Sequence, residues 1–281
     1  MGSADDALVI RALADLGHDV RPVIWTSPEA DWPIFDVVVV RSTWDYVRNV
    51  RRFRRWLNLL EDRSICVANP VGLMRWNLDK HYLLELSDHV PIATTHFVDS
   101  PEEVGPVMTN SGWSELIIKP CISCDALLTE RLMSHEVERA MKIAEHIRQQ
   151  IGCGVMMQPL FSEIINQGEW SFVFINGAFC HAVLKQPAHG DFRSQPDYGA
   201  NVSAVVPSSS MLEQAKSVLA VAPARSVYAR VDAVNIDRQL HLMELELIEP
   251  CLYLQQNALA PQRFANAIAM DAGRQGHRDA E

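Results

Sequence analysis

Two short stretches decide the fold: Arg230-Val231-Asp232 and Glu244-Leu245-Glu246, the second followed closely by Glu249-Pro250. Residues two apart on a strand point to one face, so Glu244 and Glu246 project together. Asp237-Arg238 lies between the strand-like runs Tyr228–Asn235 and Leu240–Leu247 and supplies a turn. A hairpin folded there brings Asp232 opposite the two glutamates. Val231, Leu242, Leu245 and Leu247 then take the other face. Three carboxylates gathered on one face repel unless a cation lies between them. A hard oxygen site of that kind suits Mg²⁺ or Mn²⁺, above all where phosphate oxygens complete the shell. A solvent-facing acidic strand pair fits the same alternation.

Working outward, strands predominate from Val155 on. Val155–Pro159, Glu169–Ile175, Phe179–Lys185 and Val202–Val206 are strand-like, and Asn176-Gly177 is a hairpin turn. A helix is expected over Ser210–Ala220, with Ser210 and Glu213 as a capping box. Another is expected from about Pro261 to Met270, before a polar tail. The N-terminal part reads differently. A helix capped by Asp5 or Asp6 runs to Gly17, and Arg21–Trp25 is read as a short strand. Phe35-Asp36-Val37-Val38-Val39-Val40 reads as a strand buried on both faces of a parallel sheet. It stops at Arg41-Ser42-Thr43-Trp44-Asp45, the end of the strand where α/β sheets bind ligands. Residues 48–60 hold five arginines around Phe53, Trp56, Leu57 and Leu60, a pattern that predicts an amphipathic helix with a solvated basic face. Between these parts, Asn77–Ser87 is expected to be helical from near Lys80, Ala93–Val98 and Glu115–Pro120 to be strands, and Ser134–Ile151 to be a helix capped by Ser134.

Lysines recur at element ends: Lys80, Lys119 directly after Leu-Ile-Ile, and Lys185. Lysine is rare in interiors, so each is either a phosphate ligand or a strand end reaching solvent. Lys185 opens a polar loop that carries Arg193 and Tyr198, of the kind that forms lids.

Composition sets the bounds. The 281 residues carry a net charge of −10, with 25 Lys+Arg against 35 Asp+Glu. That balance disfavours a nucleic-acid coat or an anionic-membrane binder. No apolar run approaches a membrane span, and no secretory signal opens the chain. Six scattered cysteines point to a reduced, cytoplasmic protein. Cys121-x-x-Cys124 lacks the further ligands of a zinc site.

Together the segments resemble the ATP-grasp ligases of the glutathione-synthetase-like and D-alanine–D-alanine-ligase-like group. Leu78-Asp79-Lys80, Ile117-Ile118-Lys119-Pro120, the Lys185–Arg193 loop and the acidic hairpin carry the resemblance. Arg41-Ser42-Thr43-Trp44-Asp45-Tyr46, Arg75-Trp76-Asn77 and Gly168-Glu169-Trp170-Ser171 narrow it to the bacterial subgroup that contains D-cycloserine synthetase. The resemblance implies a mixed α/β and α+β fold with three lobes around a nucleotide cleft: 1–76, a parallel α/β substrate lobe one strand short; 77–157, a small central lobe; 158–272, a lobe with the metal site; and 273–281, a frayed tail. It implies that Lys80 and Lys119 contact ATP phosphates, that Gln158, Pro159 and Leu160 border the adenine, and that Glu169 holds the ribose. Asp232, Glu244 and Glu246 match metal ligands. Arg230, Arg193 and Lys185 match catalytic residues. Arg41, Ser42, Thr43, Trp44, Asp45, Tyr198 and Glu249 are expected to meet the substrate, a small amino-acid-like carboxylate with or without a separate amine. The chain would act as a monomer or homodimer, without nucleic acid or membrane. One departure stands out. The lid after Lys119, Pro120–Thr129, lacks the glycines usual in that group. It motivates a second reading, a degenerate member that binds nucleotide or a small ligand without turnover.

Overall fold

The structure is a computed structural model that describes residues 3–276. The N-terminal part contains α1 (Ala4–Asp15), β1 (Val38–Val39), α2 (Val50–Asp62), β2 (Val67–Ala68) and α3 (Val71–Asn77). β1 and β2 pair in parallel. The valine run is covered on both faces: Val38 and Val40 pack with Phe53, Trp56 and Leu57 of α2, and Val37 and Val39 pack toward α1. The ladder is shorter than the run, and Arg21–Trp25 is not a strand. Ser3, not Asp5 or Asp6, caps α1. Both aspartates are buried instead, and Asp5 accepts hydrogen bonds from the backbone N–H groups of Leu252 and Leu254. The arginines of α2 are exposed, as its pattern predicts.

The next unit holds α4 (Tyr82–Ser87), β3 (His96–Val98), α5 (Pro101–Asn110), β4 (Glu115–Pro120), β5 (Glu130–Met133), α6 (Val137–Gln150) and β6 (Val155–Pro159). Its sheet runs β3-β6-β4-β5 and is antiparallel throughout. Lys80 lies in the turn between α3 and α4, not inside one helix. Glu136, not Ser134, precedes α6. α5 is a helix in a stretch whose prolines suggest loop. Pro101 sits in the first turn, where proline's missing N–H costs nothing.

The remaining elements are α7 (Ser162–Gln167), β7 (Glu169–Ile175), β8 (Ala178–Gln186), β9 (Asn201–Val205), α8 (Ser209–Ala220), β10 (Tyr228–Ile236), β11 (Gln239–Glu246) and α9 (Ala260–Gly276). They form an antiparallel sheet ordered β11-β10-β7-β8-β9. Ser208 caps α8, one turn position earlier than the expected Ser210 box. α9 continues through residues 273–276, which the sequence assigns to a frayed tail; the rest of that tail lies outside the described residues.

Two devices hold the acidic hairpin in place. A bulge between Asp232 and Ala233 shifts the register, so that Leu242 joins Val231, Leu245 and Leu247 in the core although its parity matches Glu244. The outer edge of β11 is closed by a backbone bridge from Pro91–Ala93 to Leu242 and, further along, by side chains. The Asn77 amide donates to the Leu245 carbonyl (2.7 Å) and accepts from Leu247 N–H (2.9 Å), while the Tyr82 hydroxyl accepts from Leu245 N–H (2.8 Å). Asn69, fully buried, donates to the carbonyls of Tyr228 and Leu247 and accepts from Val227 N–H. Side-chain amides, in place of further strands, join the N-terminal elements to the large sheet.

Candidate active site

The register places Asp232 opposite Glu244 and Arg230 opposite Glu246. All four line a cleft of about 330 Å³ between the two antiparallel sheets and the N-terminal elements. Lys80, Lys119, Gln158, Pro159, Leu160, Glu169, Lys185, Arg193, Trp44 and Glu249 line it too.

At the base each carboxylate has a cation. Lys119 donates to Glu244 at 2.7 Å, and Lys80 lies 3.8 Å from the same group. Lys185 lies 3.1 Å from Asp232 and 3.2 Å from Glu169. Arg230 donates through two nitrogens to Asp232 (2.9 Å), bonds Glu246, and reaches the Cys251 carbonyl (2.8 Å). Ser171 donates to Asp232 at 2.6 Å. Burial opposes the charge on Asp232, but Arg230 and Lys185 outweigh it and hold that carboxyl well below the usual carboxylate range. Glu244 is half-buried, and against that desolvation Lys119 with Lys80 lowers it to about 2. Glu246 behaves oppositely. Burial, then the negative neighbours Asp232 and Glu244, push it up to about 7 against the pull of Arg230, although 31% of its side-chain surface stays exposed. That crowding would be relieved by added positive charge, although the oxygens of Asp232, Glu244 and Glu246 do not all lie within 4.8 Å of one another.

The rest of the set is less uniform. Lys80 also donates to the Ser123 carbonyl (2.8 Å), which ties it to the lid. In that lid Asp125, Ala126 and Leu128 have φ of 50°, 53° and 53°, so non-glycine residues hold a left-handed backbone that glycine adopts without strain. Gln158 donates to the Thr95 hydroxyl (2.8 Å), which fixes the strand-end segment 158–160. Arg193 forks onto Asp191 (3.0 and 2.7 Å) and lies 3.6 Å over the Tyr198 ring.

Several expected substrate contacts fall elsewhere. Tyr198 does not line the cleft; it reaches it only through Arg193. Arg41 donates to the Pro250 carbonyl (2.6 Å) and packs over the Tyr228 and Phe264 rings. Ser42 donates to Asp6, Thr43 is buried with its hydroxyl unpartnered, and Asp45 accepts from the Trp25 indole (2.8 Å). Of Arg41–Asp45, only Trp44 faces the cleft. The parity of this irregular segment carries no signal of which side chains turn inward.

Asn77, Tyr82 and Ser171 belong to the site and carry no assigned role in the sequence, whereas Ser123 reads as a hydroxyl donor of the lid. Asn77 and Ser171 stand inside quoted motifs, three residues before Lys80 and two after Glu169, and that proximity was the available signal. No disulfide joins any of the six cysteines. Cys121 Sγ lies not with Cys124 but with Asp79 and His81, which are hydrogen-bonded to each other at 2.6 Å.

A crevice walled by two antiparallel sheets, with lysines from both and a carboxylate hairpin at its floor, has counterparts among solved structures. The chain is similar to the crystal structure of D-cycloserine synthetase DcsG, with a TM-score of 0.86 and 25% identity over 95% of this chain and 94% of that one. The chain is homologous to D-cycloserine synthetase DcsG and shares its fold with ATP-grasp ligases. The cycloserine biosynthesis protein DcsG of Streptomyces lavendulae is 27% identical over 93% of this chain and 91% of its own length. Residues 2–69 match the family described as the N-terminal domain of D-cycloserine synthetase DcsG. More distant structures share the fold alone. D-alanine–D-alanine ligase from Bacillus anthracis complexed with ATP has a TM-score of 0.67 at 13% identity, covering 99% of this chain and 96% of its own. The ATP-grasp ligase PsnB, complexed with a phosphomimetic variant of minimal precursor, Mg and ADP, has a TM-score of 0.64 at 17% identity, covering 96% and 97%. The mixed α/β fold expected from the sequence agrees with these structures.

Proposed function

We propose that the protein is an ATP-dependent carbon–nitrogen ligase that activates a small amino-acid-like carboxylate as an acyl phosphate and then closes a C–N bond. A ring closure within one molecule is the form favoured by the relative named for cycloserine biosynthesis. The carrying observation is the set Asp232, Glu244 and Glu246, each matched to lysine or arginine at the floor of one cleft.

The chain's own residues divide the work. Segment 158–160 and Phe161 wall the adenine side, and Glu169 stands where a ribose hydroxyl would be accepted. Lys80 and Lys119, now on Glu244, turn to the phosphate oxygens when the nucleotide arrives. Asp232, Glu244 and Glu246 would hold Mg²⁺ or Mn²⁺, which supplies charge neutralisation at those oxygens. A substrate carboxylate oxygen attacks the γ-phosphorus in line and ADP leaves, giving the acyl phosphate. A substrate nitrogen then adds to the acyl carbon. Arg230 stabilises the oxyanion, and phosphate departs. Lys185 fixes Asp232 and Glu169, and the loop bearing Arg193 excludes water that would hydrolyse the intermediate.

The test is ADP formation from Mg·ATP with small amino-acid carboxylates, and hydroxylamine trapping of the acyl phosphate. Substrate-dependent ADP and a trapped hydroxamate are expected. Nucleotide-dependent thermal stabilisation without ADP formation on any carboxylate rejects turnover in favour of a nucleotide-binding role.

A further inference from the structure

A separate cluster of metal-type ligands lies behind the turn that carries Lys80. Among the described residues, ligand atoms of Asp79, His81 and Cys121 all lie within 4.8 Å of one another, and none of the three residues lines the cleft. Two come from the turn between α3 and α4, and one follows β4, so the cluster spans from the Lys80 segment to the root of the lid. The backbone already makes that junction. Lys80 N–H donates to the Cys121 carbonyl (2.9 Å), and Cys121 N–H donates to the Gly154 carbonyl (3.0 Å). The side chains are held as well. The His81 ring packs on Phe97 with centroids 4.4 Å apart. The Asp79 carboxylate accepts from His81 N–H (3.1 Å) and meets His81 Nδ1 at 2.6 Å. Cys121 is fully buried, while His81 and Asp79 keep 33% and 36% of their side-chain surface open, which leaves an entry path. A fourth group points the same way. Asp99 Oδ1 lies 3.7 Å from His81 Nε2, the ring nitrogen that does not face Asp79. Glycine at 154 makes room for it, since a Cβ there would fall 2.7 Å from that oxygen.

Thiol, imidazole and carboxylate converging on one point are ligands for zinc. Magnesium and calcium take oxygen, whereas zinc binds sulfur and nitrogen at about 2.0–2.3 Å. A carboxylate on the second nitrogen of a ligating imidazole is the usual outer partner of such a site. We propose that Asp79, His81 and Cys121 bind Zn²⁺, with Asp99 orienting His81 through its Nε2–H. Water takes the fourth position. On binding, the Cys121 thiol gives its proton to solvent, and the neutral imidazole keeps one proton, on Nε2 facing Asp99. Zinc replaces the hydrogen bond between Nδ1 and Asp79 and clamps the Lys80 turn to the root of the lid. Sequence spacing pairs Cys121 with Cys124, but the residues that complete its ligand set stand far upstream, in Asp79-Lys80-His81.

The experiment reads metal binding, so it stands apart from the ligase reading. The reduced, metal-stripped full chain is titrated with Zn²⁺ against a chromophoric chelator in excess Mg²⁺, which competes at oxygen-only sites. It is also titrated with Co²⁺, whose thiolate charge-transfer band reports sulfur ligation. One Zn²⁺ per chain with submicromolar Kd, and a Co²⁺–thiolate band, are expected. His81→Ala and Asp79→Asn should each weaken Zn²⁺ binding by about a hundredfold, and Asp99→Asn by about tenfold with the band retained. Cys121→Ser should remove the band and Cys124→Ser should keep it. Glu244→Gln, altered in the cleft, should bind Zn²⁺ as wild type does. Failure to compete with the chelator, a His81→Ala affinity equal to wild type, a band that survives Cys121→Ser, or Zn²⁺ binding lost in Glu244→Gln overturns the proposal.

Discussion

The two ends of the cleft obey opposite electrostatic rules. At the hairpin end, carboxylates and cations are interleaved: Asp232 with Lys185 and Arg230, Glu244 with Lys119 and Lys80. At the Trp44 end, Glu249 is buried without a counter-ion, and the nearby Arg41 has a buried Nη2 without a hydrogen-bond partner. At the first end the side chains satisfy one another's charges. The second is left incomplete. A buried charge pair is costly to break, while an unpaired carboxyl answers by holding its proton. The hairpin end is held by charge pairs, and the far end by a proton.

The largest effect on turnover should come from the hairpin end. Glu244→Gln keeps the shape but removes the charge shared by Lys119 and Lys80, and it should lower Mg·ATP-dependent ADP formation by about a thousandfold, roughly 4 kcal/mol of barrier. Turnover within a few-fold of wild type would break the comparison at its centre. Lys185→Met leaves Glu169 and Asp232 facing each other without their common cation. Denaturant unfolding should show a loss of about 3 kcal/mol near neutral pH.

Glu249→Gln should act in the opposite sense on stability. The folded pKa of Glu249 lies near 8, above the usual 4.5, so the native state holds a proton that the unfolded chain has lost. Wild-type stability therefore falls as pH rises from about 4.5 toward 8, and glutamine has nothing to ionise. The variant should match wild type near pH 4 and exceed it by up to about 5 kcal/mol at pH 9. A pH-independent difference would show that Glu249 is not an uncompensated carboxyl. The smallest effect belongs to the lid. Ala126→Gly relieves a left-handed alanine and should change stability by no more than about 1 kcal/mol, with a measurable change in affinity for a non-hydrolysable ATP analogue. An unchanged affinity would detach the lid conformation from nucleotide binding.

The regular elements were legible where periodicity and burial agree. Glu115–Pro120, Val155–Pro159 and Glu169–Ile175 form over the residues read as strands, the first alternating in burial and the other two buried in runs. Helix starts were less so. Ser3 and Ser208 cap in place of neighbours of similar chemistry, because several adjacent polar residues can each accept the free N–H groups. The turn at Lys80 and the helix Val71–Asn77 escaped because Asn77 serves the edge of β11, a partner more than 160 residues away. Arg41, Ser42 and Asp45 carry binding-type chemistry but spend it on Pro250, Asp6 and Trp25.

The order of residues by itself determined which chemistry is available: a two-strand carboxylate array, lysines at strand ends, and a lid without glycine. Alternation and turn residues act over a few positions, so they are written locally. Tertiary structure decided which charges meet, how the bulge at Asp232–Ala233 turns Leu242 inward, and that Glu249 is left without a cation. Those outcomes depend on the register and burial of segments far apart in the chain, and desolvation is a property of the packed whole that no local pattern encodes.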